Sequence, residues 1–108
     1  MTSLIPVYRP RVSYDIESIV VYIGQVLDSP KAAPAWYDSL KEVVSLLCDM
    51  PDLGCPFEDD RLVFKDRRSH LVGSYRLFYS YSLDTLTVWR VVHTTQDMDD
   101  YALVDLVD

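Results

Sequence analysis

The chain has 108 residues, of which 49% are hydrophobic and 25% charged, so its composition excludes an intrinsically disordered protein. Its length predicts a single domain, residues 1–108, with its own hydrophobic core. No apolar run approaches the roughly 20 residues that cross a bilayer, and residues 1–10 lack the apolar stretch of a signal peptide. These exclusions predict a cytoplasmic protein in which Cys48 and Cys55 are reduced thiols.

The net charge of −7 is unevenly distributed along the chain. Residues 1–60 carry a net charge of −6, residues 61–93 carry +4, and residues 94–108 carry five acids and no base. The basic block can attract an anionic partner locally, or it can offset the neighbouring acids of residues 58–60, and the sequence leaves both interpretations open. The total charge argues against direct binding of nucleic acid, because phosphate contacts need a basic surface.

The first elements are predicted to be a strand and a helix. Residues 4–12 are typical of an edge strand, because Pro6 and Pro10 cannot donate to a ladder. Ser13 is predicted to cap the helix, with Asp15 in its first turn, where the helix dipole favours an acid. The apolar stripe of this helix consists of Ile16, Ile19, Val20, Ile23 and Leu27.

A second helix is predicted over about residues 31–50. Ser29 serves as its cap, Pro30 takes the first helical position, and Pro51 stops it. Its apolar face consists of Trp36, Leu40, Val43, Val44 and Leu47. Because few residues join the two helices, they should form an antiparallel hairpin.

After residue 60 the apolar residues recur at every second position. This period predicts strands over residues 61–64, 69–72, 74–82 and 86–93. Alternation places Tyr75, Leu77, Tyr79 and Tyr81 on one face, opposite Arg76, Phe78 and Ser80. In the last strand it separates Leu86, Val88, Arg90 and Val92 from Thr87, Trp89, Val91 and His93. The acidic segment 94–108 is a short helix or a tail. The predicted fold class is therefore α+β, with an N-terminal strand and a helical hairpin packed on a sheet of three to four antiparallel strands.

Four segments in this order resemble the RelE/ParE superfamily of bacterial toxins. Residues 15–23 are similar to its first helix, and residues 50–56 to its Pro-x-x-Gly-x-Pro turn. Residues 72–79 resemble its central strand and residues 88–93 its last strand, with Asp97 close behind. The Arg-Val-Val-His ending favours the ParE branch. Members are usually basic, however, and this chain is acidic.

The resemblance implies the toxin of a type II toxin–antitoxin pair, a class associated with plasmid stabilisation. A ParE-like toxin is expected to inhibit DNA gyrase by binding rather than by catalysis, and a cognate antitoxin neutralises it. One alternative is a ribosome-dependent mRNA endonuclease of the RelE type. Another is a non-toxic family member kept as a binding module, which the acidic segment 94–108 favours.

The endonuclease alternative has three candidate residues, Arg76, Arg90 and His93, because metal-free RNA cleavage needs a base, an acid and cations for the phosphate. Alternation, however, places Arg90 and His93 on opposite faces of one strand. In the structural interpretation, Arg90 pairs with an acid at the edge of the core and His93 donates to a backbone carbonyl. The sequence shows no zinc-ligand spacing, phosphate loop or Ser/His/Asp pattern, so no metal or cofactor is predicted.

A small sheet covered by two helices should leave its second face open, and this open face is the predicted partner surface. The candidate contact residues are Phe64, Phe78, Trp89 and Val91. An antitoxin segment could add a helix or strand there, or the segment 94–108 could fold back over it; both interpretations stay open. The tyrosines of the long strand could stack on bases, but more simply they fill the interface between sheet and helices.

Overall fold

The computed structural model describes residues 3–28, 30–59, 62 and 66–95. Its helices are α1 (Pro10–Val21), which continues into a π-helical turn (Tyr22–Val26), and α2 (Ala32–Asp49). Its strands are β1 (Ile5–Tyr8), β2 (Cys55–Pro56), β3 (Arg68–Val72), β4 (Tyr75–Tyr81) and β5 (Thr85–His93). No helix in this described part is long and apolar enough to span a membrane.

The five strands form one mixed sheet in the order β1-β5-β4-β3-β2. β1 runs parallel to β5 at one edge, and the other neighbours are antiparallel. The predicted α+β class and the edge position of the first strand are confirmed, but the sheet has more strands than the three to four expected. The strand predicted at residues 61–64 falls, apart from Leu62, outside the described residues.

The first helix begins earlier than predicted, so the assignment of Ser13 as its cap is wrong. Pro10 occupies the first turn, where its fixed φ fits and its missing N–H costs nothing. Arg9 donates its N–H to the Val88 carbonyl at 3.1 Å, so the chain passes from strand into helix without a loop. Asp15 therefore lies in the second turn and is buried. α2, by contrast, begins later than predicted, at Ala32 rather than at Pro30.

Both helices bury one apolar stripe against the sheet, as the spacing predicts. The buried members on the helices are Val12, Ile19, Ile23, Ala33, Trp36, Leu40, Val44, Leu47 and Cys48. They meet Val72, Tyr75, Leu77, Tyr79, Leu86, Val88 and Val91 from the sheet, and together these residues form the helix-side core. Leu27 does not join the stripe, because the π-helical turn ends at Val26, and Leu27 is 52% exposed.

A β-bulge alters the predicted alternation in β5. Phe78 pairs with Arg90 and Tyr79 pairs with Val88, so Trp89 is an extra residue between them. Val88 and Val91 consequently both face the helices, whereas Trp89 and Val92 lie on the other face. The prediction that Val91 shares the open face with Trp89 is therefore wrong, and the inserted residue is the physical reason.

Candidate functional site

Arg90 is bound to Asp15 at the edge of β5. Its Nε and Nη2 donate to the two carboxylate oxygens at 2.7 and 3.1 Å, and both side chains are buried. The Val91 N–H donates to the same carboxylate at 3.1 Å, just beyond the last residue of β5 that pairs with β1. Asp15 thus accepts a backbone N–H of β5 at a position where β1 no longer pairs with it. The same carboxylate binds Arg90 through two hydrogen bonds. The prediction that Arg90 pairs with an acid at the edge of the core is confirmed.

His93 is exposed at the end of β5, on the side of the helices. Its ring meets that of Tyr75 edge-on, with centroids 5.2 Å apart. Its Nδ1 accepts the Thr95 N–H at 3.2 Å and lies 2.7 Å from the Thr95 hydroxyl. The expectation that His93 donates to a backbone carbonyl is wrong, because the adjacent turn presents an amide to the ring.

Arg76 lies on the face opposite to His93. Tyr75, which pairs with His93, points into the helix-side core, so the next residue of the strand points away from it. Arg76 is half-buried and lies directly across from Leu71 of β3. Arg90 is bound to Asp15, Arg76 lies on the open face and His93 lies on the helix side. A catalytic role for these three residues stays a prediction.

The residues predicted to bind a partner form a second core. Phe78 is fully buried and Trp89 is 7% exposed, packed with Leu62, Val92 and Phe57. Val91 belongs to the helix-side core, and Phe64 lies outside the described residues. A partner role for these residues stays a prediction, but Phe78, Trp89 and Val91 offer little exposed surface in this structure.

Two cations lie close to the indole ring of Trp89. The Arg67 guanidinium lies 4.1 Å from the indole centroid and that of Arg9 lies 5.2 Å from it. The indole N–H donates to the Ser80 hydroxyl at 2.9 Å. Arg68, in turn, donates to the backbone carbonyls of residues 52 and 54. Two arginines of the basic block, Arg67 and Arg68, therefore bind other parts of the protein.

A groove of about 540 Å³ lies between α1 and α2, away from the sheet. Its floor is mainly apolar, and its lining includes Ile16, Val20, Ala33 and Pro34. Tyr37, which is 41% exposed, contributes one wall. The sequence stripe indicated that Ile16 and Val20 face inward. It did not reveal that small residues at the start of α2 leave both of them partly uncovered.

The turn between α2 and the sheet is tied to β4 by one phenol. Tyr79 is fully buried, and its hydroxyl donates to the Pro51 carbonyl at 2.6 Å and accepts the Gly54 N–H at 3.0 Å. This contact explains why the Pro-x-x-Gly-x-Pro segment is ordered against the sheet. It also settles the role of Tyr79, which fills the core and is not available for stacking on a base.

Removing that hydroxyl should destabilise the protein. We expect Tyr79→Phe to lower the free energy of unfolding by about 1–3 kcal/mol, because the buried Gly54 N–H and Pro51 carbonyl lose their partner. Tyr81→Phe is the matched control, since Tyr81 is partly exposed and its hydroxyl binds Asp52 at the surface. Urea denaturation measures both variants. Equal effects would contradict the importance of the buried contact.

Burial perturbs two titratable groups of the helix-side core. Burial raises the pKa of the Tyr75 phenol, and the nearby Tyr22 adds to the effect. Burial also raises the pKa of the Cys48 thiol, followed by the charge of Asp49. Cys48 and the exposed Cys55 are both free thiols, as predicted. Within the described ranges, no cluster of residues could hold a metal ion.

Comparison with known proteins places the fold in a family. Residues 7–98 match the family described as ParE toxin of type II toxin-antitoxin system, parDE. The fold is similar to a chain of the chromosomal ParDE toxin–antitoxin system from P. aeruginosa. That match has a TM-score of 0.67 at 13% identity and covers 84% of this chain and 96% of that one.

A second similar structure comes from the toxin–antitoxin complex RelBE2 of Mycobacterium tuberculosis, with a TM-score of 0.60 at 18% identity. It covers 85% of this chain and 99% of that chain. No curated protein matches the chain significantly in sequence. Because the family match spans most of the 108 residues, the chain belongs to the ParE family of toxins from type II toxin–antitoxin systems.

Proposed function

We propose that this toxin acts in the cytoplasm by binding DNA gyrase and inhibiting it, and that a cognate antitoxin neutralises it. The observation that carries the proposal is the separation of Arg76, Arg90 and His93. Arg90 is bound to Asp15, and the other two side chains point to opposite faces of the sheet. A toxin that works by binding does not need these groups to converge, whereas an RNA-cleaving site does.

The groove between α1 and α2 is our candidate contact for the antitoxin. Its apolar floor and its position along two helices suit the apolar face of an amphipathic helix. Partly buried Ile16 and Val20 would gain further burial there, which favours association. An antitoxin held in this way would release a stable toxin when it is degraded, which is how such a pair stabilises a plasmid that carries it.

Expression of the chain without its antitoxin tests the proposal. We expect growth arrest in cells, and inhibition of supercoiling when purified protein is added to purified DNA gyrase. Co-expression of the neighbouring small reading frame should restore growth. Val20→Glu should abolish this rescue, because it places a charge in the apolar groove. Val26→Glu, at a 66% exposed position outside the groove, should leave rescue intact.

Other outcomes would identify a different function. Normal growth and full gyrase activity, together with a tight antitoxin complex, would replace the proposal with a non-toxic binding module. Cleavage of ribosome-bound mRNA that disappears in His93→Ala would replace it with the RelE-type endonuclease. Rescue of the Val20→Glu variant by the antitoxin would move the antitoxin contact elsewhere on the surface.

A further inference from the structure

Arg76 differs from the other arginines in the described part of the chain, since it has no hydrogen bond, ion pair or ring contact there. Arg90 and Arg67 bind carboxylates, and Arg68 binds backbone carbonyls. Arg9 and Arg11 also have partners. Arg76 is nevertheless half-buried, and its guanidinium has no acceptor among the described residues. Arg76 is therefore the exception among the arginines that the structure describes.

The side chain of Arg76 lines a groove of about 340 Å³ on the open face, near the β3–β4 turn. Leu71 lies directly across from it on β3 and is 53% exposed. Leu53, which is 45% exposed, and the exposed Cys55 also line the groove. The groove therefore combines one arginine with two exposed leucines.

The backbone around the groove also favours an extended occupant. The described pairing of β2 with β3 stops at Cys55 and Ser69. Leu71 therefore lies on a part of β3 whose outer edge β2 does not cover. Open edges of this kind pair with extended peptide segments, and side chains of alternate residues then enter the neighbouring pockets.

A single carboxylate of a peptide suits the charge of Arg76 better than the phosphate backbone of a nucleic acid does. The planar guanidinium offers two parallel N–H donors to a carboxylate, and the leucines offer apolar contact to the residues beside it. A phosphate backbone carries charge at every nucleotide and needs several cations along its path. Among the described residues the groove has one arginine and that arginine has no partner, and the protein has a net charge of −7, so a peptide is favoured.

We propose that Arg76 anchors a carboxylate of an extended, otherwise apolar segment of the antitoxin in this groove. The identity of the partner rests on the proposed function. The contact is distinct from the groove between α1 and α2, which lies on the other side of the molecule from the open face. The antitoxin would thus hold the toxin on both sides, with Arg76 as the charged anchor of the second contact.

Cys55 provides a reporter of this groove, because it is exposed and lines it, whereas Cys48 is buried. The experiment measures the alkylation rate of Cys55 by iodoacetamide with mass spectrometry, using the full toxin with and without the protein from the adjacent reading frame. Complex formation is checked separately by size-exclusion chromatography. We expect the complex to slow the alkylation of Cys55 by about tenfold or more, since the reaction follows access to the thiol.

Arg76→Gln should lose most of this protection and weaken the complex by about tenfold. Lys31→Gln is the matched control, because it removes the same charge from an exposed position away from the groove, and it should behave like the unchanged protein. A complex that elutes intact while Cys55 stays reactive would overturn the inference and leave the antitoxin partner standing. Equal behaviour of the two variants would also overturn it.

Two further outcomes are decisive. If the adjacent protein forms no complex at all, both the proposed antitoxin partner and this inference fail. If a single-stranded oligouridine RNA protects Cys55 in an Arg76-dependent way and the antitoxin does not, the groove is a nucleic-acid contact and the peptide proposal is wrong.

Discussion

Asp15→Ala is expected to lower the free energy of unfolding by about 3–5 kcal/mol, the usual cost of breaking a buried charge pair. The Asp15 carboxylate accepts two hydrogen bonds from Arg90 and one from the Val91 N–H. Its loss removes the countercharge of a buried guanidinium and the acceptor of a buried amide at the same time. Because stabilities of small domains are about 5–15 kcal/mol, this loss is a large fraction of the total.

The measurement is urea denaturation followed by circular dichroism, with Asp38→Ala as the control. Asp38 is 68% exposed and pairs with Lys41 within one helix, so its loss should change stability by no more than about 0.5 kcal/mol. Asp15→Leu combined with Arg90→Met should recover at least half of the loss, since an apolar pair leaves no buried charge behind. A stable Asp15→Ala variant would show that the pair is not essential to the edge of β5.

The sequence predicted most of this fold because its helices and strands have clear periods. The apolar faces of α1 and α2 and the alternation of β4 were all recognisable, and Tyr75 and Tyr79 lie in the core as expected. The family resemblance, carried by motif order, is confirmed by the match over residues 7–98. The spacing of apolar residues was sufficient to predict burial wherever a residue's position in a regular helix or strand decides whether its side chain faces the core.

The prediction failed where contacts distant in sequence decide the geometry. Nothing near Trp89 signals the bulge, which depends on how β5 registers against β4. Ser13 is a good cap by composition, but the hydrogen bond from Arg9 to β5 lets the helix start at Pro10. That shift moves Asp15 from a solvent-exposed first turn to the core, where it meets Arg90, 75 residues away in sequence.

The earlier start of α1 also determines which arginine is left for binding a partner. With Asp15 in a first turn, Arg90 would have been available for a phosphate, as the endonuclease alternative requires. With Asp15 buried, Arg90 stabilises the fold, and Arg76 is left as the arginine without a partner in the described residues. Among the described arginines of the basic block, Arg67, Arg68 and Arg90 stabilise the structure, and Arg76 is the one that we propose binds a partner.

Gly54→Ala is the second substitution with a large expected effect, a loss of about 2–4 kcal/mol of unfolding free energy. A Cβ at this position would lie 2.5 Å from the Tyr79 hydroxyl and 2.7 Å from the Ser69 carbonyl oxygen. Neither can withdraw without cost, because the hydroxyl ties the turn to β4 and the carbonyl belongs to β3. The added methyl group should therefore push β2 away from β3 and break the contact of Tyr79 with the turn.

Gly24→Ala is its matched control, since its Cβ would meet only the Ala33 Cβ, at an ordinary 3.7 Å. Gly24 lies in the π-helical turn, where alanine loses less backbone entropy on folding, so we expect no loss and a gain of up to about 1 kcal/mol. Thermal denaturation of both variants measures the difference. If Gly54→Ala proved as stable as Gly24→Ala, the turn would have to move freely against the sheet. In that case the groove beside Leu53 would not be a preformed site, and the anchoring role of Arg76 would lose its structural basis.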